Sequence, residues 1–245
     1  MAHILSKSKY IRGLQCDRAL WLDVFNPRLA RYTAEQMRRF DRGREFEYAF
    51  KDTFPNGIDI SAELKRNVDA YPELTTMYLD KEEEVDLFEA GFLYDEVLVL
   101  ADVVHKNGDG TLDIYEVKSG NVLSETYKRD AALQHYVISH CREVHSFCIV
   151  YAGNVGVSPA ESFAGETPAH PVADGTSAHP GFAIVDLTEE LSAEADTIAR
   201  NIAAMKEILS HGEPATPTGQ HCLEPYACPY QHYCAQGVRQ RSLFG

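Results

Sequence analysis

Val97-Leu-Val-Leu-Ala-Asp-Val-Val104, Asn107-Gly-Asp-Gly110 and Thr111-Leu-Asp-Ile-Tyr-Glu-Val-Lys118 are consecutive pieces of one hairpin. The outer two are rich in β-branched residues, and the Gly-Asp-Gly run between them is a strong turn signal. Setting Asn107 opposite Thr111 fixes a register in which Asp102 lies directly across from Glu116. Directly opposed side chains on one face have Cβ atoms about 4.5 to 5.5 Å apart, and like charges there are destabilising. A positive group is expected between them. Alternation along the strand puts Glu116 and Lys118 on one face with Leu112 and Ile114, so a lysine emerges beside the paired carboxylates.

Two or three hard oxygen ligands suit Mg2+ or Mn2+. Such an ion lowers the pKa of a bound water and neutralises phosphoryl charge, while a lysine ammonium orients the nucleophile and stabilises the transition state. Phosphodiester hydrolysis is the reaction this set suits. Spacing alone leaves a second reading open, in which Asp102 and Lys118 form a surface ion pair and Glu116 faces solvent.

Outward from the hairpin, Ser124 can cap a helix running to about Arg142, and Ser146 to Tyr151 is a short apolar run suited to a buried strand. On that helix Gln134 is a polar residue on the face turned to the sheet. It can hold a water or a phosphate, or cap a backbone group. Residues 153–181 have the composition of a flexible surface loop. Phe182 to Leu187 reads as another strand, and Thr188 opens a helix to about Ser210. Upstream, residues 4–50 read as helical with a break at Pro27, and a second helical stretch runs roughly from Thr33 to Phe54. Residues 58–90 hold short strand-like or helical pieces, with Asp80 to Asp86 as a solvated acidic face.

The 245 residues, 44 % hydrophobic and 24 % charged, are those of a globular chain able to bury a core without staples. No stretch is long and apolar enough to span a bilayer, and the start lacks a signal peptide's apolar core, so a cytoplasmic protein is expected. In that compartment disulfides are rare. Cys16, Cys141, Cys148, Cys222, Cys228 and Cys234 therefore need another reading. Cys141 and Cys148 lie among apolar residues and read as core. The last three are too far apart for most zinc-finger knuckles and need a fourth ligand.

The string Asp102 … Glu116-Val117-Lys118 resembles the PD-(D/E)XK nuclease motif, and the element order resembles that superfamily's αβββαβ core. More narrowly, the chain is similar to the RecB-like iron-sulfur nucleases that include the CRISPR-associated exonuclease family. Leu5-Ser-Lys-Ser-Lys-Tyr10, leading to Cys16 and Trp21, looks like that family's N-terminal segment. Gly43-Arg-Glu-Phe-Glu47 occupies the place of its G-x-x-x-H motif, with Glu47 for histidine. Gln134-His-Tyr136 falls where a Q-x-x-x-Y motif stands. Ile138 takes the tyrosine's position there, which leaves Tyr136 or Tyr127 to replace it. Cys222, Cys228 and Cys234 look like the C-terminal half of a cluster site.

The resemblance implies one restriction-endonuclease-like α/β domain over residues 1–245, a mixed sheet flanked by helices. It has N-terminal helices at 1–57, core at 58–152 and 182–211, and a cysteine-bearing end at 212–245. It implies Mg2+ or Mn2+ held by Glu47, Asp102, Glu116 and the Val117 carbonyl, with Lys118 assisting the attacking water and Gln134 placing water or phosphate. It also implies a structural [4Fe-4S] cluster on Cys16, Cys222, Cys228 and Cys234. Zinc, with Cys16, His221 or His232 as fourth ligand, is the alternative. His135 and His140 read as helix-surface residues. The implied activity is a deoxyribonuclease, an exonuclease on single-stranded ends, in repair, phage defence or CRISPR adaptation, alone or with a helicase or DNA-acquisition complex. Tyr10, Trp21 and Tyr136 are candidates for stacking on bases. A non-catalytic DNA- or protein-binding module is the alternative from another class, and RNA remains an open substrate.

The net charge of −14 divides as +4 over residues 1–50, −11 over 51–130 and −7 over 131–245. That excludes a chain that coats nucleic acid by bulk charge. Lys7, Lys9, Arg12, Arg18, Arg38, Arg39, Arg42 and Arg44 form the one basic region, which leads to Glu47 and is expected to grip a short stretch of strand.

Overall fold

The computed structural model describes residues 3–64, 67–152 and 181–242. It is a mixed α/β structure with a seven-stranded sheet flanked by helices. The strands are β1 (Leu5–Ser6), β2 (Ile58–Asp59), β3 (Val85–Tyr94), β4 (Val97–Lys106), β5 (Leu112–Lys118), β6 (Val144–Ala152) and β7 (Phe182–Asp186). The α-helices are α1 (Lys7–Gln15), α2 (Asp17–Phe25), α3 (Ala34–Lys51), α4 (Ile60–Leu64), α5 (Tyr71–Lys81), α6 (Glu125–Ser139), α7 (Thr188–Ser192), α8 (Ala195–Ser210) and α9 (Gln231–Ser242). The expected loop at 153–181 falls almost wholly outside the described residues. Among the described residues no helix is long and apolar enough to cross a membrane.

The hairpin forms in the expected register: Val103 faces Tyr115, Val104 faces Ile114 and Lys106 faces Leu112. Asn107 N–H donates to the Thr111 carbonyl at 2.9 Å, and Gly110 takes φ +90°, a conformation that favours glycine. Continued by one step, the register sets Asp102 beside Glu116. β4 and β5 stay hydrogen-bonded only over β4's second half, and β1 pairs in parallel with the first half at Val97 and Leu98. Since β3 takes β4's other edge, β1 and β5 share one edge and leave a fork between them. Asp102 sits in that fork.

Several segments differ from the sequence expectation. Residues 58–90 contain most of a ten-residue strand, β3, joined to β4 by a two-residue turn. Asp95 and Glu96 take φ +48° and +59° there, as a type I′ turn requires, without the Asn-Gly that would announce it. The N-terminal helical run opens with β1 and is cut at Cys16, whose extended backbone both ends α1 and starts α2. The run from Thr188 divides at Ala193 and Glu194, and α6 stops at Ser139, three residues short of Arg142.

Caps explain the starts of the helices that matter for the site. Ser6 accepts from Lys9 N–H, Ser124 from Tyr127 N–H, and Thr33 with Gln36 closes a capping box on α3. Phe50 and Phe54, on and just beyond α3, pack with Phe88, Val103, Tyr115, Val117 and Val150 in one cluster, which fixes α3 against the strands. The larger core joins α1, α2, α5, α6 and α8 to the sheet through Leu20, Leu79, Val104, Ile114, Leu133 and Ile149 among others. Cys148 is buried in the α3 cluster as expected, but Cys141, at the end of α6, is exposed, because the helix stops before it.

At the far end of the hairpin Asp113 is buried and accepts from Ser146 Oγ at 2.5 Å, His145 Nδ1 at 2.8 Å and Asn107 Nδ2 at 3.1 Å. Burial opposes its charge, and these donors outweigh burial, holding its carboxyl below the ordinary 3.8. Its contribution to stability is complete above that value and fades as the pH falls through the lowered one. We expect Asp113→Ala to lower the unfolding free energy by about 1 to 3 kcal/mol at neutral pH. In urea titrations the deficit should shrink below pH 3.8.

Candidate active site

Asp102 stands where β4 loses β5. Its Oδ2 accepts the Val117 N–H at 2.7 Å, so the carboxylate takes up a backbone donor at the fork. Glu116, on the strand that departs, is almost completely buried, with 1 % of its surface exposed. Its Oε1 accepts from Lys7 Nζ at 2.8 Å and from Lys118 Nζ, and Lys118 also donates to Asp130. Lys7 enters from the first turn of α1, and Asp130 and Gln134 lie one helical turn apart on α6. The surface ion pair of Asp102 with Lys118 is not formed, and Glu116 does not face solvent.

Three buried polar atoms here have no hydrogen-bond partner: Glu116 Oε2 and both amide atoms of Gln134. An orphaned buried polar group costs about 1 to 3 kcal/mol, so three together mark a place shaped for something other than stability.

On the other side of Asp102 lies a second acidic group. Glu47 of α3, Glu89 of β3 and Asp102 each offer a carboxylate oxygen, all within 4.8 Å of one another. Glu89 continues the row across the strands, because the β3–β4 register that pairs Phe88 with Val103 and Ala90 with Ala101 sets it opposite Asp102. Its φ is +53°, rare for a non-glycine residue in mid-strand, and such strain costs about 1 to 3 kcal/mol. The phase of β3 changes there: Leu87 enters the main core on an odd number, Ala90 and Phe92 on even ones. Lys51 Nζ reaches Glu47 Oε1 at 2.5 Å and Glu89 Oε1 at 2.7 Å.

The electrostatics separate the acids. Burial and the neighbouring Glu116 push Asp102 well above the usual carboxylate range, against the pull of Lys7 and Lys118. Burial acts the same way on Glu116, yet its direct contacts with Lys118 and Lys7 hold it well below that range. Burial opposes the charge of Lys118 too, and Asp130 and Glu116 overcome it, so Lys118 stays an ammonium. Among the described residues, Asp102 is the carboxylate of this site without a lysine of its own.

Of the residues singled out in the sequence, the structure brings Glu47, Asp102, Glu116 and Lys118 together, sets Val117 beside them through its N–H, and buries Gln134 one turn along α6 from Asp130. Lys7, Lys51, Glu89 and Asp130 were missed. Two had a signal: Asp130 lies at i−4 from Gln134 and Lys51 at i+4 from Glu47. Glu89 follows from the β3–β4 register once that turn is recognised. Of the two tyrosines, Tyr127 is at the site, its ring 5.7 Å from Lys118 Nζ. Tyr136 instead packs on Tyr94, ring centroids 5.8 Å apart. Tyr10 is fully buried with its hydroxyl accepting from Asn201 at 3.0 Å, so neither it nor the buried Tyr136 can stack on a base. Trp21 is half-buried against Phe25 and donates to the His211 carbonyl. His135 is buried against Phe147, not on the surface, and burial pushes its pKa down; His140 is exposed at its edge and stacks on Tyr94.

Three members of the basic region are paired within the chain. Lys7 lies on Glu116, Arg12 on Asp23 at 3.2 Å and Arg18 on Glu213 at 2.6 Å. Arg39 and Arg42 lie outside the described side chains. The N-terminal helices and the C-terminal segment meet in a clasp of hydrogen bonds. Gln15 Nε2 donates to the carbonyls of His221, Glu224 and Tyr226, Tyr230 donates to Asp23, and Cys228 N–H donates to the Cys222 carbonyl. Cys16 and Cys228 border an apolar cluster of Ala19, Leu22 and Tyr230. Burial raises the thiols of Cys16, Cys228 and Cys234, and each of the three also feels the charge of Cys222.

No family model and no curated protein matches the chain. Among solved structures it is similar to one described as "Crystal structure of SSO0001", at 14 % identity and a TM-score of 0.32, with 80 % of this chain and 98 % of that chain covered.

Gln15 holds three carbonyls of the 221–226 segment from one amide nitrogen. We expect Gln15→Leu to make that segment markedly more sensitive to limited proteolysis at 25 °C while the secondary structure seen by circular dichroism is unchanged.

Proposed function

We propose that the protein is a metal-dependent phosphodiesterase, a deoxyribonuclease acting on single-stranded ends, whose two chain ends are joined by a [4Fe-4S] cluster. The observation that carries the reading is the fork: Asp102 and Glu116 side by side, Lys118 at hand, and Glu116 Oε2 and the Gln134 amide buried without partners. This donor set fits Mg2+ or Mn2+, which take carboxylate oxygens, amides and waters. Asp102 and Glu116 are its holders, with Glu47 in reach of Asp102. A bound divalent cation supplies Lewis acidity toward a phosphoryl oxygen and makes water a better nucleophile.

The chain's own groups supply the rest. Lys118, kept protonated by Asp130 and Glu116, is a hydrogen-bond donor to the attacking water or a phosphoryl oxygen, not the base that removes a proton. Lys7 adds a second ammonium from α1. Gln134 has a free donor and a free acceptor to orient a water against a phosphate. DNA as the polymer, and its single-stranded ends, rest on the resemblance of the motif set, as do the biological settings of repair, phage defence or CRISPR adaptation.

Cys16, Cys222, Cys228 and Cys234 would hold the cluster. The choice of an iron-sulfur cluster over zinc rests on the resemblance of the cysteine pattern.

Labelled single-stranded and duplex DNA, with Mn2+ against EDTA, test the catalytic reading. Asp102→Asn and Lys118→Ala should each slow digestion by on the order of 100-fold or more, and equal rates for parent and variants would remove the assigned site. Anaerobically purified protein should contain iron and sulfide, and Cys16→Ser should lose them; stoichiometric zinc without iron overturns the cluster.

A further inference from the structure

We propose that the centre holds a single divalent cation, on the Asp102–Glu116 side, and that the Lys51 ammonium is a built-in cation standing where a second one would bind, between Glu47 and Glu89. This rests on the reading of the site as a metal-dependent phosphodiesterase.

Charge counting points to it. Among the described residues the site holds five carboxylates, from Glu47, Glu89, Asp102, Glu116 and Asp130, and three ammoniums, from Lys7, Lys51 and Lys118. With all ionised, as Asp102 would be once it held a cation, the excess of two negative charges matches one divalent cation. A second ion would leave the half-buried site with a positive surplus that its own carboxylates do not offset.

The two sides of Asp102 also differ in how their oxygens are used. On the α6 side, Glu116 Oε2 and the Gln134 amide are fully buried and unpartnered, and Asp102 has no lysine. The two open oxygens, Glu116 Oε2 and Gln134 Oε1, call for a cation. On the α3 side, Glu47 and Glu89 already share one. Lys51 is 7 % exposed, lies in the last turn of α3 four residues after Glu47, and passes the Phe88 ring at 5.7 Å, so its stem is packed and its charge aimed. The left-handed backbone of Glu89 belongs to the same device, since this residue answers Lys51 from the strand side. A metal ion drawn to Glu47, Glu89 and Asp102 would have to displace Lys51 from both carboxylates or sit against it.

Binding stoichiometry is the test, by titrating the full chain with Mn2+ and following free Mn2+ by electron paramagnetic resonance. The parent and Lys51→Arg should bind one Mn2+ per chain, and Lys51→Ala should bind two. Two ions in the parent, or one in Lys51→Ala, overturns the proposal. An absence of Mn2+ binding by the parent overturns the phosphodiesterase reading itself. Should Lys51→Ala not fold, Glu89→Gln decides, because it should leave parent-like affinity at one site. A loss of about tenfold or more would make Glu89 a ligand and end the proposal.

Discussion

One strand edge can hydrogen-bond to only one partner at a time, and β4 divides its edge between β1 and β5. The site follows from that division. Where the two partners part, four residues of β4 have no strand beside them on that edge among the described residues, and Asp102, the last of them, is turned to a backbone donor of the departing strand. The space opened there admits side chains from α1 and α6. A hairpin paired along its full length would bring Asp102 and Glu116 just as near, with no room for Lys7, Lys118, Asp130 and Gln134 around them.

Such a concentration of buried charge is a poor way to make a protein stable. Breaking a buried ion pair is costly, yet an apolar replacement of the whole group is often neutral or stabilising. The arrangement is therefore better understood through what it prevents. Each lysine neutralises a carboxylate that would otherwise raise its neighbours' pKa, so Glu116 keeps its charge at 1 % exposure. The deficit is concentrated on Asp102, which burial and Glu116 both penalise. Violations of local rules tend to gather at functional sites. Here the strained Glu89, the orphaned Gln134 amide and the unpaired Asp102 lie within one neighbourhood.

The hairpin was legible because its turn chemistry and its alternation agree, and with it came Asp102, Glu116 and Lys118. Ser124 and the helix carrying Gln134 were legible for the same reason. β3 was not, since its turn uses Asp95 and Glu96, which need left-handed backbone without the residues that usually supply it, and its alternation changes phase at Glu89. Losing β3 meant losing Glu89. Lys7 and Lys51 look like ordinary surface lysines in the sequence; only the packing of α1 and α3 on the strands turns them inward. Tyr10, Tyr136 and His135 failed in the opposite sense, because a polar tip on an aromatic ring does not reveal whether the ring faces water or core.

The clasp and the active site are not independent. α1 begins with Lys7 on Glu116 and ends at Cys16, and at 1.5 Å per residue the two are about 14 Å apart along one short helix. The same helix end carries Gln15, which holds the 221–226 segment, and the helix start is fixed by β1 on β4. Any group that ties Cys16 to the C-terminal cysteines therefore constrains the far end of a rod whose near end places an ammonium on Glu116. If the clasp opened, α1 would lose its hold at the Gln15 end and keep β1, the Lys7 contact and the buried Tyr10, with its hydroxyl on Asn201, toward the other. Any tilt of the helix would reach the carboxylates through the position of the Lys7 ammonium.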